Sequence, residues 1–342
     1  MLILAIESSC DETAAAISEN GRKILSDVVF SQVDMHAEYG GVVPEIASRK
    51  HVEKVSFVAL EAIKKAGMTP RDINAVAATC APGLIGALLV GANFGKAAAL
   101  SLGVPFIPVH HIRGHIAANY VAFPELEPPF CALVASGGHT VIADVRDYTD
   151  MEVLGTTRDD AAGEAFDKTA RVMGLPYPGG AAMDAAAKKG DAKRFRLPRA
   201  VIEDAPLDMS FSGVKTAAVN LIHNFTQKGE EVPVADIAAA INDAVCDSIV
   251  PRVVAAAESA GRKTVVAAGG VAANSFLRAR LSAECEKEGI KVYYPPLSLC
   301  GDNGSMIACQ GYYEYLAGNV GDSSQNCFAT MPVSENLSKL EL

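Results

Sequence analysis

Tryptophan is absent from the 342 residues, and aromatic side chains make up only 6% of them. Runs of alanine and 29 glycines take their place, a composition suited to helices packed closely against a sheet. No C-x-x-C pair occurs among the eight scattered cysteines. That excludes a disulfide framework and a cysteine zinc site, and it fits a reducing cytoplasm. Long apolar runs are also missing. "MLILAI" has no basic flank and gives way at once to "ESSCDET", so no secretory signal is read. The longest mostly apolar stretch, "GLIGALLVGANFGKAAALSLGVPF", is broken by Asn93, Lys96 and several glycines. It is expected to be a buried helix and not a membrane span. Positive charge is in deficit, with a net charge of −10, which on its own gives no ground for a nucleic-acid binder. The local exception is "KKGDAKRFRLPR" (Lys188 to Arg199), with six basic residues and one acid. It is either a solvated loop or a phosphate-contacting patch.

The length predicts two domains. "LILAIE" (2–7) reads as a buried strand, followed by the polar turn "SSCDET" and a second strand, "AAAIS". About 130 residues later the pattern returns as "CALVAS", the turn "GGHT" and "VIADV". Two such units suggest a duplicated fold. "TVVAAGG" (264–270) is a further strand leading into the helix "ANSFLRARLSAECEKEG". In "EIASRKHVEKVSFVALEAIKKAG" an apolar face of Val55, Val58, Ala59, Ala62 and Ile63 predicts a helix, which ends with lysines and Gly67. "INAVAATCAPG" reads as a strand into a turn. This alternation predicts an α/β architecture, with ligands at turns beyond strand ends, in a cleft between the duplicated halves.

Three of the seven histidines fall within six residues of "PVHHIRGHIAANY": His110, His111 and His115. His111 and His115 are four apart and share one face of a helix, as a pair of metal ligands or as capping and core residues. A zinc-protease H-E-x-x-H mechanism is disfavoured, because the position after His111 is Ile112. A carboxylate would complete the set, and "LCGDNGSMIA" offers Asp302 in a glycine-flanked turn. Two histidines and a carboxylate leave open positions that suit Fe(II) or catalytic Zn(II). Helix capping fits Asp302 and Asn303 equally well.

"SGGHT" (136–140) and "GGVAAN" (269–274) are glycine turns after strands, where backbone N–H groups can cradle anionic oxygens. Asn274 either caps its helix or bonds a nucleotide. In "RDDAAGEAFDKTAR" the residues Asp160, Glu164, Asp167 and Lys168 cluster, either as i,i+4 ion pairs such as Glu164–Lys168 and Asp167–Arg171 or as a polar wall for ribose hydroxyls. Glycine turns also precede Asp184 in "PYPGGAAMDAA" and accompany Ser212 and Lys215 in "SFSGVKTA".

The segments "ESSCDETAAAI", "HAEYGGVVPEIASRKHVE", "PGLIGALLVG", "VHHIRGHIAA", "LVASGGHT", "DDAAGEAFDKTAR", "YPGG", "FSGVKTA", "AAGGVAANSFLR" and "CGDNGSMIA" follow one another in the order found in the TsaD family. The chain resembles that family over about residues 1–330. The family makes N6-threonylcarbamoyladenosine in tRNA and was formerly described as an O-sialoglycoprotein endopeptidase. The resemblance implies the actin-like, sugar-kinase and heat-shock ATPase (ASKHA) fold, with two duplicated α/β domains around a nucleotide cleft. The expected division is 1–112 and 113–302, with a helix at about 303–320 packing back on the first domain and a variable tail at 321–342.

The resemblance also implies the site. One divalent metal per subunit, Fe(II) ahead of Zn(II), would be held by His111, His115 and Asp302. Adenylate-binding positions fall on Val134, Ala135, Ser136, Gly137 and Gly138, and on Asp167, Gly180, Asp184 and Asn274. Glu12 lies in the acidic first turn beside Asp11, and either is a candidate acceptor for the proton of the attacking amine. His110 is expected to support structure and not to ligate. Implied partners are tRNA, threonylcarbamoyl-AMP from a TsaC-type synthase, the shorter paralogue TsaB and the ATPase TsaE, with no membrane and a cytoplasmic location. The segment 188–199 is then a candidate tRNA-facing surface. A sugar or small-molecule kinase gives no reason for His111 and His115. A non-catalytic nucleotide switch gives no reason for a complete His/His/Asp set.

Overall fold

The computed structural model describes residues 1–339. The first half contributes β1 (Leu2–Glu7), β2 (Glu12–Glu19), β3 (Lys23–Ser31), α1 (Val33–Ala37), α2 (Pro44–Lys65), β4 (Ala75–Ala81), α3 (Ile85–Leu102), β5 (Phe106–His110) and α4 (His111–Ala122). The second contributes β6 (Phe130–Ala135), β7 (Thr140–Val145), β8 (Met151–Thr156), α5 (Ala162–Val172), α6 (Gly179–Ala187), α7 (Ser212–Lys228), α8 (Val234–Ser259), β9 (Thr264–Ala268), α9 (Ser275–Lys287) and β10 (Lys291–Tyr293). Then comes α10 (Gly304–Leu316).

Each half builds a five-stranded sheet, β3-β2-β1-β4-β5 and β10-β9-β6-β7-β8. Read from opposite edges the two orders are the same. In both, an antiparallel hairpin is followed by parallel strands reached through helices. The strand–turn–strand repeat in the sequence therefore marks a duplicated topology.

In the first sheet the side-chain period of two sorts residues between two cores. Leu4 and Ile6 of β1 face α2 and α3, with Ala15, Ile17, Val76 and Ala78. Ile3 and Ala5 face α4 and α10, with Ala16, Ala75, Ala77 and Ile107. A side chain such as Ile3 contributes about 1.5–3 kcal/mol when fully buried. Small residues allow the close approach of α10. A Cβ on Gly304 would stand 2.5 Å from the Ala16 nitrogen, and one on Gly311 would stand 2.8 Å from the Ala77 Cβ. Only one face of α3 is buried, through Ala87, Leu88, Gly91, Ala92, Gly95 and Ala99. Leu89 and Leu100 are exposed, so the expectation of a wholly buried helix is corrected to a half-buried one.

Two compact units result. One holds Met1–Pro128, Arg146–Glu152 and Pro295–Leu342, and the other holds Pro129–Val145 and Val153–Tyr294. The first boundary thus falls after Pro128 and not after Ile112. The reason is α4, which packs on α10 so closely that a Cβ on Gly114 would lie 2.7 Å from Ile307 Cδ1. The β7–β8 turn also belongs to the first unit. Its Tyr148 stacks on Tyr313 at 3.8 Å, and Arg22 lies over both rings while its guanidinium donates to the Pro124 and Leu126 carbonyls. The tail, expected to be variable, is docked on the same unit, with Cys327, Val333 and Leu337 buried.

Candidate metal centre and adenylate turns

β5 runs into α4 without a linking residue, so His110 ends the strand and His111 opens the helix. His110 Nδ1 accepts the Ile112 N–H and caps the helix. One turn on, the His115 ring stands edge-on to that of His111, with centroids 4.5 Å apart. Asp302 arrives from the turn before α10. Its Oδ1 lies 3.3 Å from His115 Nε2 and 3.6 Å from His111 Nε2. One ligand atom from each of the three residues lies within 4.8 Å of the others. The capping question is decided by Asn303, whose side chain accepts the Met306 N–H at 2.9 Å and caps α10. Asp302 is thereby left to face the histidines.

The donor set fits a divalent cation. Both ring nitrogens of His115 are buried and make no hydrogen bond, although Asp302 Oδ1 faces Nε2 at 3.3 Å, a costly state for an imidazole that a cation between the two would relieve. His111 turns its Nδ1 to Glu7 Oε2 and Ser9 Oγ, each at 3.1 Å, which leaves Nε2 toward Asp302. A carboxylate behind a ligating imidazole is the usual means of fixing its tautomer and orientation.

Glu7 was not singled out in the sequence, although an acid closing the apolar run "LILAIE" was the available signal. It is fully buried at the end of β1 and accepts from Thr79 Oγ1 at 2.6 Å and from the Ser9 N–H. Burial acts to raise its pKa, but the charge and hydrogen bond of His111 hold it below the usual carboxylate value. Burial acts to lower His111, yet Asp302 and Glu7 lift it to about 9. Glu7→Gln is expected to weaken divalent-metal affinity about 10–100-fold, read by competition with a chromophoric chelator.

The acidic turn lies beside this set. His51 fixes it, since Nε2 donates to the Cys10 carbonyl at 2.9 Å and Nδ1 accepts from Thr13 Oγ1 at 2.8 Å. Burial, then Asp11 and Asp302, push Glu12 up to about 9, so it holds a proton at neutral pH unless that neighbouring charge is offset. Burial, then Asp11, keeps the Cys10 thiol protonated, so it offers no thiolate ligand.

The second unit contains all the positions expected to bind adenylate. Val134 and Ala135 are buried strand residues, and Ser136 closes a tight turn by donating its N–H to the His139 carbonyl at 2.8 Å. Gly137 and Gly138 are exposed, with open space where a Cβ would stand. Neighbouring glycines grip the turn from behind. A Cβ on Gly163 would lie 2.4 Å from the Ser136 oxygen, and one on Gly269 would lie 2.4 Å from the Ala135 oxygen. Asp167 Oδ1 accepts the Gly180 N–H at 3.2 Å. One turn along α6, Asp184 Oδ1 accepts the N–H and Oγ of Ser275, and its Oδ2 pairs with Lys188 at 2.9 Å. Asn274 caps α9 through the Leu277 N–H and donates Nδ2 to Asn242 at 2.7 Å, so its side chain serves as the cap.

A sequence model of the family described as "TsaD: tRNA N6-adenosine threonylcarbamoyltransferase" matches residues 23–309. The chain belongs to the TsaD family. It is 49% identical over 334 residues to the tRNA N6-adenosine threonylcarbamoyltransferase of Clostridium perfringens, covering 98% of each chain. It is 46% identical over 335 residues to that of Clostridioides difficile, covering 98% of this chain and 99% of the relative. TsaD proteins are enzymes, and this chain is a transferase of tRNA modification. Solved structures show the fold. HypF from T. kodakarensis matches with a TM-score of 0.62 at 16% identity, over 93% of this chain and 48% of that one. Component A of the Acidaminococcus fermentans (R)-2-hydroxyglutaryl-CoA dehydratase matches at 0.53 and 17%, over 93% and 98%.

In this TsaD chain half of the six basic side chains of segment 188–199 are balanced, Lys188 by Asp184 as above. Arg194 pairs with Asp236 at 2.6 Å, and Arg199 pairs with Asp243 and Asp247. Among the described residues, Lys189, Lys193 and Arg196 form no ion pair. On α5, Lys168 bonds Glu164 as expected and also reaches Asp160 at 3.4 Å.

Proposed function

We propose that this enzyme transfers the threonylcarbamoyl group of threonylcarbamoyl-AMP to N6 of the adenine beside the anticodon, position 37, in tRNAs that read codons beginning with adenine. The observation that carries this reading is the convergence of His111, His115 and Asp302, backed by Glu7. His111, His115 and Asp302 would hold one divalent cation, Fe(II) ahead of Zn(II), which when bound would supply Lewis-acid polarisation of the carbamoyl carbonyl. Glu7 fixes the ring of His111, and Asn303 caps α10, so the Asp302 carboxylate faces the two histidines and not the helix end. The N–H groups of the Ser136–Gly138 turn hold the AMP phosphate. Asp167, Gly180 and Asp184 flank the nucleoside, with Asn274 shaping the pocket as a cap. The new N6–carbon bond forms as the bond from that carbon to the phosphate oxygen breaks. AMP leaves, and the N6 proton passes to Asp11, or to Glu12 where a cation on Asp302 has offset the charge that keeps it protonated.

With a charge of −10, the chain binds tRNA through local patches and with partners. The partners in this reading are the paralogue TsaB and the ATPase TsaE, in the cytoplasm, with a TsaC-type enzyme supplying the adenylate. The exposed Val52, Phe57 and Leu60 of α2 support an assembly over an isolated chain.

The test is transfer on unmodified tRNA with threonine, bicarbonate, ATP, the synthase and both partners. Wild type is run beside His111→Ala, with metal content measured in each. Product from wild type alone, with metal lost from the variant, is the expected result. Equal product from both would demote the histidines to structure.

A further inference from the structure

His110 caps the helix that carries His111 and His115, Arg113 lies between those two on it, and neither belongs to the candidate ligand set. Arg113 is only 2% exposed and is the largest of the fully buried side chains. A guanidinium is buried at high cost unless its donors are matched. Here they are. Nη1 pairs with Glu314 Oε1 of α10 at 3.0 Å, Nε donates to the Val333 carbonyl at 3.0 Å, and Nη2 donates to the Glu335 carbonyl at 2.9 Å. Glu314 is held in turn by Gln310 Nε2 at 2.8 Å and Asn319 Nδ2 at 2.6 Å. His110 has its Nδ1 occupied by the Ile112 N–H, so Nε2 carries the proton and donates to the Met331 carbonyl at 3.2 Å.

The carbonyls of 331, 333 and 335 lie on a turn, closed by the Glu335 N–H donating to the Pro332 carbonyl at 3.1 Å, which brings Val333 and Glu335 together on the one guanidinium. Further back, the Phe328 N–H bonds the Cys80 carbonyl at 2.9 Å and Lys96 bonds the Gln325 carbonyl at 2.9 Å. The tail is thus a strap laid across the first unit. Two residues along a helix from either ligand, Arg113 points away from the face shared by His111 and His115. Its influence on them passes through the helix.

We propose that Arg113 and His110 are positioning residues, and that through the Met331, Val333 and Glu335 carbonyls they make the C-terminal strap part of the metal centre. Arg113 also joins α4 to α10 through Glu314, which ties the helix carrying two ligands to the one that Asp302 precedes. The strap closes α4 from the other side. This inference rests on reading His111, His115 and Asp302 as a metal site.

The test uses Co(II) as probe with the full-length chain, because its visible absorption reports ligand geometry as well as occupancy. Arg113→Lys keeps the charge but loses the planar fork that binds two carbonyls. A chain ending at Thr330 removes the carbonyls themselves. Each is expected to lose about 10–100-fold in Co(II) affinity with an altered spectrum. Arg113→Lys in the shortened chain should cost nothing further, since both changes break one coupling. Phe328→Ala, in a part of the strap remote from α4, is the control for lost stability and should leave the spectrum unchanged. Unaltered Co(II) affinity and spectrum in Arg113→Lys would overturn the proposal, as would additive losses or an equal effect of Phe328→Ala. A wild-type chain that binds no Co(II) would instead overturn the metal reading itself.

Discussion

Asp302→Ala is expected to abolish metal binding and to slow transfer by on the order of a thousand-fold, the loss that follows when several kcal/mol of charge stabilisation disappear. Its neighbour should behave oppositely. Asn303→Ala removes the cap of α10, so it is expected to cost about 1 kcal/mol of stability while keeping the metal. The contrast follows from the backbone. Asn303 holds the extended N-cap conformation, with its side chain folded onto the Met306 N–H, whereas the Asp302 carboxylate lies against two imidazoles. Metal analysis, thermal melting and single-turnover transfer on the two variants separate the roles. Metal retained at full stoichiometry in Asp302→Ala would remove it from the ligand set.

Gly163→Ala is expected to have the largest effect on the second unit. The added methyl would meet the Ser136 oxygen at 2.4 Å and the Gly137 Cα at 2.8 Å. Both are backbone atoms, with no rotamer through which to yield. Either α5 retreats or the β6–β7 turn opens, at about 1–3 kcal/mol. AMP affinity should fall at least about tenfold, since the N–H groups that cradle an anion depend on that turn. Metal binding in the first unit should be untouched. Gly137→Ala meets nothing within 4 Å, so it should leave melting unchanged and lower AMP affinity only where the nucleotide approaches that face. Calorimetric titration with AMP, beside melting curves, checks both. Unchanged AMP affinity in Gly163→Ala would detach the turn from adenylate binding.

Local pattern made much of this legible. The period-2 burial of β1, the helical face of α2 and the glycine ends of strands are written within a few residues. The His111–His115 pair could be seen as a pair because four residues is one helical turn. What stayed hidden depends on contacts between distant segments. Glu7 looks like the end of an apolar strand until His111 is placed on it. The choice between Asp302 and Asn303 as cap is invisible until the turn is folded. Arg113 reads as a loose charge between two histidines, because the carbonyls that bury it lie more than two hundred residues away. The boundary after Pro128 depends on Gly114 meeting Ile307, a packing contact that no window of sequence contains.

The second unit is inserted into the first, whose chain resumes for good only at Pro295. That order has a consequence in time. A ribosome delivers His111 and His115 early, and then makes an entire further unit before it reaches Asp302. Domains form as units during synthesis. Through that interval α4 has no α10 to lie on and no strap to close it. The nascent chain therefore offers two histidines without their carboxylate. The candidate ligand set of His111, His115 and Asp302 is complete only after the second unit has been made and Asp302 has followed it.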